Sequence, residues 1–261
     1  MKRQYVPSIA RPYMNQLHVG FKRTIKLPKG SFLFIDDEVP KHPKAKVFDP
    51  LLHSFNPLRS IDKKTARDLA HVLYTVSPQG ENTLTVRNGR RALAQAFIGA
   101  KRLDQLHVES EVKGVKEEVE GMIGELLFTD VMRRVLCSDN DFAFTGRNTK
   151  VFARINRAEL GEFDALVLGL LLMSHYKGQV IVPDLGFYGR DAHVSLVREG
   201  RLIAGVDRLG DLPPKLRAAV LLMKEKVPSG ATFEDAETLA RYAQLSPGTN
   251  EYNDFIGAAI T

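Results

Sequence analysis

Cysteine is almost missing from this chain. Cys137 is the only one among 261 residues, so no internal disulfide can form, which fits a reducing compartment. No Cys/His cluster has zinc-site spacing, and Cys137 reads as a small buried apolar residue. Long apolar runs are missing too. Leu166 to Met173 is almost wholly apolar but too short to cross a bilayer, and His175 and Lys177 follow it. The basic start Met1-Lys2-Arg3 lacks an apolar signal core. The expectation is a cytoplasmic protein without membrane insertion. Two catalytic signatures are also absent. No Gly-x-Ser-x-Gly elbow exists, which sets Ser/His/Asp catalysis aside, and no Gly-x-x-x-x-Gly-Lys-Ser/Thr loop exists to cradle phosphates.

What is present is a globular composition, 44% hydrophobic and 26% charged, with an uneven charge distribution. Through Ala70 there are fourteen Lys/Arg against six Asp/Glu, about +8, so the rest of the chain is about −2 for a net +6. A basic arm of this kind suits phosphate backbones, whose affinity is largely electrostatic. A solvated surface, or an arm docking on an acidic partner through Tyr5, Tyr13 and Phe21, would use the same charge.

The segment around which the chain is organised is Gly178-Gln179-Val180-Ile181-Val182-Pro183-Asp184. The apolar stretch Leu166–Met173 reads as a buried helix, Lys177-Gly178 breaks it, and a short β-branched strand ends in a carboxylate. Residues 1–44 read as a basic, irregular extension that carries one strand, where apolar and polar positions alternate at Leu17-His18-Val19-Gly20-Phe21. Further strands are expected at Ser31–Ile35, ending in Asp36-Asp37-Glu38, and at Ala45–Val47–Phe48. Three acids in a row could bind a divalent cation through oxygen, or simply form a solvated loop. A helix opens at Ser60-Ile61-Asp62 and runs to about Tyr74. A second is expected from Asn88 or Gly89 to Ala100, with Arg87, Arg90 and Arg91 crowding its start. Cations there oppose the helix dipole unless an anion sits among them, which makes the three candidate phosphate contacts. Lys22 and Arg23 stand behind them.

Apolar spacing predicts a helix across Val108–Val135, a strand over Lys150–Ile155, and strands at His193–Arg198 and Arg201–Val206. Helices are predicted at Pro213–Met223 and Thr232–Ala243. Repeated strand–helix alternation argues for an α/β fold, a mostly parallel sheet flanked by helices, over residues 45–261 with a helical insertion around 60–135. In such sheets ligands collect at the carboxyl ends of strands, where Asp184 stands. Asp184 could equally cap the next turn.

Several segments together resemble the FtsK/HerA-type P-loop ATPases, which include conjugative coupling proteins and viral packaging motors. They are Val47-Phe48-Asp49-Pro50 with Asn56-Pro57-Leu58, the strand ending at Asp184, Arg201-Leu202-Ile203-Ala204-Gly205-Val206, and Glu234-Asp235-Ala236-Glu237-Thr238-Leu239-Ala240. Together these segments lie between Ala45 and Phe255. The resemblance implies a RecA-like P-loop NTPase core, here lacking the P-loop, with Asp184 in the place of the magnesium-ordering acid. The departures are large. Gly20-Phe21-Lys22-Arg23-Thr24 has one glycine and Pro28 follows, Leu185 stands where the family carries a water-activating glutamate, and Asp207-Arg208 replaces a polar amide. The implied function is a catalytically degenerate relative of a DNA-translocating ATPase, an oligomeric, DNA-associated or assembly component of a mobile element or virus, with no catalytic residue of its own. Two other readings stay open. One is a metal-dependent phosphodiesterase or nuclease using Asp184, Asp191 and His193 around a divalent ion such as Mg2+. The other is a structural scaffold protein.

Overall fold

Strands buried on both faces have continuous apolar sequence, and three segments of this chain are buried at every residue: Phe32–Asp36, Gln179–Val182 and Leu202–Val206. The computed structural model describes residues 4–7, 15–21, 24–40, 45–59, 61–76, 84–144 and 149–261. Its elements begin with β1 (Gln4–Pro7), β2 (Gln16–Val19), β3 (Thr24–Leu27), β4 (Phe32–Asp36) and β5 (Lys46–Phe48). Helices α1 (Lys63–Tyr74), α2 (Leu84–Gly99), α3 (Val115–Leu126) and α4 (Asp130–Cys137) follow, then β6 (Lys150–Arg154), α5 (Arg157–Leu160) and α6 (Glu162–His175). The chain continues through β7 (Gln179–Val182), α7 (Leu185–Tyr188), α8 (Val194–Arg198), β8 (Leu202–Val206) and α9 (Pro214–Leu221). It closes with β9 (Glu225–Pro228), α10 (Phe233–Tyr242) and α11 (Asn250–Ile260).

The fold is α/β, with a mostly parallel seven-stranded sheet of order β5-β6-β4-β7-β8-β2-β9 and a separate parallel pair β1-β3. The chain divides into two compact units, Met1–Ala45 with Arg147–Val151 and Gly178–Thr261, and Lys46–Gly146 with Phe152–Lys177.

In the first unit β4 pairs with β7, β7 with β8, and β2 lies between β8 and β9, all parallel. Gln16–Val19, which the sequence placed in an irregular extension, is thus an interior strand. Its start is pinned by Asn15, whose Oδ1 accepts from Leu202 N at 3.0 Å and whose Nδ2 donates to Val197 O at 2.5 Å. His193–Arg198, expected as a strand, is a 3-10 turn at Asp191–His193 running into helix α8. Five residues with Leu196 and Val197 buried cannot separate a period of 2 from one of 3.6. The side chain of Thr232 caps α10 by accepting from Asp235 N, and α10 and α11 close over Ala236, Ala240, Ile256 and Ala259.

The second unit is mainly helical. Asp62 caps α1 by accepting from Thr65 N at 2.6 Å, and Ala66, Leu69, Ala70 and Leu73 form its buried face. Helix α6 buries nine residues all round, as expected of a helix inside a core. The single helix expected over Val108–Val135 is broken instead. Thr129 starts α4 by capping Met132 N, and its hydroxyl also donates to the buried Asp164 at 2.7 Å. Phe48, Phe55, Phe142 and Phe144 pack with ring centroids 4.9–5.4 Å apart. Arg154 bonds Asp49 at 2.7 Å, and Asn56 donates to Lys101 O at 2.8 Å, so the Asp-Pro and Asn-Pro segments are bound into this unit's own scaffold.

Candidate functional site

Parallel strands collect ligands at their carboxyl ends, where neighbouring strands send the chain in opposite directions. In the first unit the chain leaves β2 toward β4 but leaves the adjacent β8 toward β9, so the β8/β2 boundary is such a switch point. The residues just past these strand ends are Asp36-Asp37 after β4, Asp184 after β7, Asp207-Arg208 after β8 and Gly20 after β2.

Asp36, Asp184 and Gly20 have local work. Asp36 is 6% exposed and its Oδ1 accepts from Asp37 N at 3.0 Å. Asp184 is the N-cap of α7, its Oδ1 accepting from Phe187 N at 3.1 Å. Leu185, where the resemblance expects a glutamate, is fully buried. A Cβ on Gly186 would lie 3.5 Å from Asp184 Oδ1 and 3.4 Å from Asp211 Cβ, so these two acids flank it. The turn after β8 is tied down by the buried Asp235, which accepts from Leu209 N at 3.2 Å. At β2 the backbone closes over the strand end: Gly20 N donates to Val206 O at 3.0 Å and Ser229 N to Val19 O at 2.9 Å. A Cβ on Gly20 would fall 2.3 Å from Ser229 O, at a φ of +108°.

Asp191 and His193 do not join Asp184. Asp191 accepts from Leu216 N at 3.1 Å, and its other oxygen is 3.8 Å from Lys215 Nζ. It lines a cleft of about 940 Å³ with Asn15, Gly200 and Glu225, at the amino ends of β2, β8 and β9. That is the opposite edge from the one where α/β sheets place ligands, despite the cleft's volume. His193 is buried, its Nδ1 accepting from Arg190 N at 3.1 Å. Among the described residues no three His, Cys, Asp or Glu side chains gather as a metal ion would need.

The second unit brings cations together. Helix α2 runs over Leu84–Gly99 and does not start at Asn88, so Arg90 and Arg91 sit inside it, past the first turn in which the dipole acts, and the dipole argument for an anion lapses there. Arg90 and Arg91 line a groove of about 870 Å³ against α1, which contributes Lys63, Lys64, Arg67 and His71. Arg87 is exposed and outside that lining. Lys22 and Arg23 lie outside the described residues. Sequence reasoning counted the α1 cations only as net charge, although 63, 64 and 67 share one helix face at i, i+1, i+4 spacing. The two helices meet closely because position 89 is glycine: a Cβ there would lie 1.8 Å from Tyr74 Oη. Burial and the neighbouring Glu118 carboxylate push the Tyr74 phenol well above its usual pKa, and Arg90 opposes them.

The fold is that of the RecA-like P-loop NTPases. No family model matches the chain, and no curated protein matches it in sequence. Among solved structures it is similar to VirB4 of Thermoanaerobacter pseudethanolicus, with a TM-score of 0.57 and 10% identity over 94% of this chain and 84% of that one. A bacterial conjugative coupling protein, TrwBdeltaN70 in complex with sulphate, aligns with a TM-score of 0.47 and 12% identity over 86% of this chain and 72% of that one. Among the described residues no helix is long and apolar enough to cross a membrane.

Proposed function

We propose that this protein is a non-hydrolysing relative of the DNA-translocating ATPases, acting as a DNA-associated or assembly component of a mobile element or virus. The observation that carries the reading is the connection from β2 to β4. Only residues 20–31 lie between them, and β3 occupies four of those positions. A phosphate-binding loop needs a strand, an eight-residue loop and a helix, whose amide groups and lysine hold the β and γ phosphates. Twelve residues that include a strand leave no room for that sequence of parts.

Asp184 supports the same reading, since its carboxylate is engaged in capping α7 and a buried leucine follows it. An in-line displacement needs a metal and a positioned water as well as a phosphate cradle. The likeness to VirB4 supplies the fold and the quoted segments supply the direction of the relation. Steady-state ATP turnover, with and without DNA, tests this. The expected result is turnover indistinguishable from a no-protein blank in both arms. Turnover by the pure protein that DNA stimulates would overturn it.

A further inference from the structure

We infer that the groove between α1 and α2 is a sequence-independent site for the phosphate backbone of a nucleic acid strand. The inference rests on the DNA-associated reading above and assigns it to particular residues. Five cations, Lys63, Lys64, Arg67, Arg90 and Arg91, line the groove with Asp68; Arg90 lies near Tyr74 together with the Glu118 carboxylate, and Lys63, Arg67 and Arg91 are exposed. Like charges drawn to one concave surface repel each other, and a polyanion relieves that repulsion. Two helices contribute to the lining, so the cluster is a product of tertiary packing and not of a charge run along one helix.

The spacing selects the ligand. From Lys63 to His71 the helix rises about 12 Å at about 1.5 Å per residue. Phosphates on one strand advance about 3.4 Å each along the axis, so the groove spans about three or four of them. A bilayer surface is flat, and a concave groove of about 870 Å³ cannot lay its cations against it. A mononucleotide would need a surface for its base, and the one ring in the lining is the imidazole of His71 at the far end of the α1 cations, with no Phe, Tyr or Trp beside it. The apolar part of the wall is small, Ala94 and Ile98 beside Gln95, so the lining is chiefly cationic, which is the chemistry of phosphate contact. Backbone contact without base contact gives affinity without sequence preference.

Lys63, Arg67 and Arg91 are exposed, so their replacement by glutamine leaves the core and helix propensity nearly unchanged. The experiment is fluorescence-anisotropy titration of labelled DNA oligonucleotides of two unrelated sequences against salt. It compares the native protein, the three single variants, the triple variant, and Arg87→Gln, with anionic phosphatidylserine vesicles as a parallel arm. Each single variant is expected to weaken binding to both sequences by roughly tenfold at 50 mM salt, and to lower the log–log salt slope by about one. The triple variant should lose at least a hundredfold, while Arg87→Gln should change affinity less than any groove variant. Thermal melting shows whether the variants remain folded.

Undiminished binding by a folded triple variant overturns the groove and leaves the proposed function standing. The same holds if Arg87→Gln matches the groove variants, because general charge then explains the data. Equal loss on the vesicle arm with no DNA binding would make the groove a lipid site and overturn the assignment. Absence of DNA binding by the native protein at low salt overturns both the groove and the DNA-associated reading. ATP turnover overturns the non-hydrolysing reading without touching the groove.

Discussion

The carboxyl edge of the first unit and the α1/α2 groove of the second each hold one of the two things that binding requires, a favourable place in a fold and a favourable set of side chains. The strand ends have the topology at which α/β proteins bind ligands, yet Asp36 and Asp184 each accept a backbone N–H from a residue within three positions, and Asp235 of α10 reaches in to accept from Leu209 N. The groove has no privileged place in a sheet, yet it gathers five cations around an open volume. Fold position confers an opportunity, and the chemistry depends on which side chains remain available there. This chain has the strand-end topology of an α/β sheet in its first unit, while its clustered cations lie in the second.

Glycine substitutions give the sharpest way to break that comparison, because each unit is closed at one glycine. Gly20→Ala puts a methyl 2.3 Å from Ser229 O and 2.6 Å from Ala231 N at positive φ. Backbone atoms cannot swing away, so the expected loss is about 4 kcal/mol or more, and the urea midpoint should collapse or the protein fail to fold. Gly89→Ala meets a side chain instead, but Tyr74 is 2% exposed and its Cζ would also lie within 2.6 Å. The expected cost is about 2–4 kcal/mol. Adding Tyr74→Phe should recover only part of it, because removing the hydroxyl leaves the ring carbon in place. Since Gly89 sets the approach of α2 to α1, Gly89→Ala should lose DNA binding along with stability, whereas the glutamine variants lose binding alone.

A pH titration probes the second unit's interior. Burial, with the nearby Lys177 charge, lowers the His175 pKa from 6.5 to about 4, and its ring packs edge-on against Phe55 at 5.0 Å. The unfolded chain therefore binds a proton below about pH 6.5 that the folded protein refuses until about pH 4. Stability is fully present above pH 6.5 and is lost as pH falls through that window, by up to about 3 kcal/mol. The buried Nδ1 has no hydrogen-bond partner, so His175→Phe should leave neutral-pH stability within about 1 kcal/mol while flattening the melting temperature between pH 6.5 and 4. An unchanged slope would mean that His175 is not what makes the fold acid-sensitive.

How much of this could be read from the residues differs between the units. β4, β7 and β8 were legible because strands buried on both faces must be apolar throughout, and α1 and α10 because Asp62 and Thr232 announce their starts. β2 was obscured by Gln16 and His18, polar residues whose alternation suggests a half-exposed strand. In the sheet His18 is 3% exposed, with β8 on one side and β9 on the other. Only the strand order reveals that this short segment is an interior strand. The groove was half legible. Arg90 and Arg91 drew notice as a local cluster, but their partners are about 25 residues earlier on α1, and a glycine–tyrosine contact that leaves no periodic signal brings the two helices together. The trio Asp184, Asp191 and His193 looked plausible because sequence proximity stood in for spatial proximity. Helix α7 and the following turn carry the chain from one sheet edge toward the other between them.

Asp184 offers the smallest effect and the finest test of what the strand-end carboxylate is for. As a cap it needs only an oxygen facing Phe187 N, which asparagine retains, so Asp184→Asn should stay within about 0.5 kcal/mol of the native protein. Alanine removes the acceptor and should cost about 1 kcal/mol, the ordinary value for a lost cap. Were Asp184 the ligand of a bound magnesium ion, the order would differ. Asparagine would then be nearly as harmful as alanine, because the loss would be of charge, and magnesium would raise the melting temperature of the native protein but not of either variant. Melting curves of the three proteins with and without millimolar magnesium therefore separate the two roles. Equal curves in both buffers, with alanine alone displaced, would leave the carboxylate to the backbone of α7, and the acid after β7 would then serve the fold.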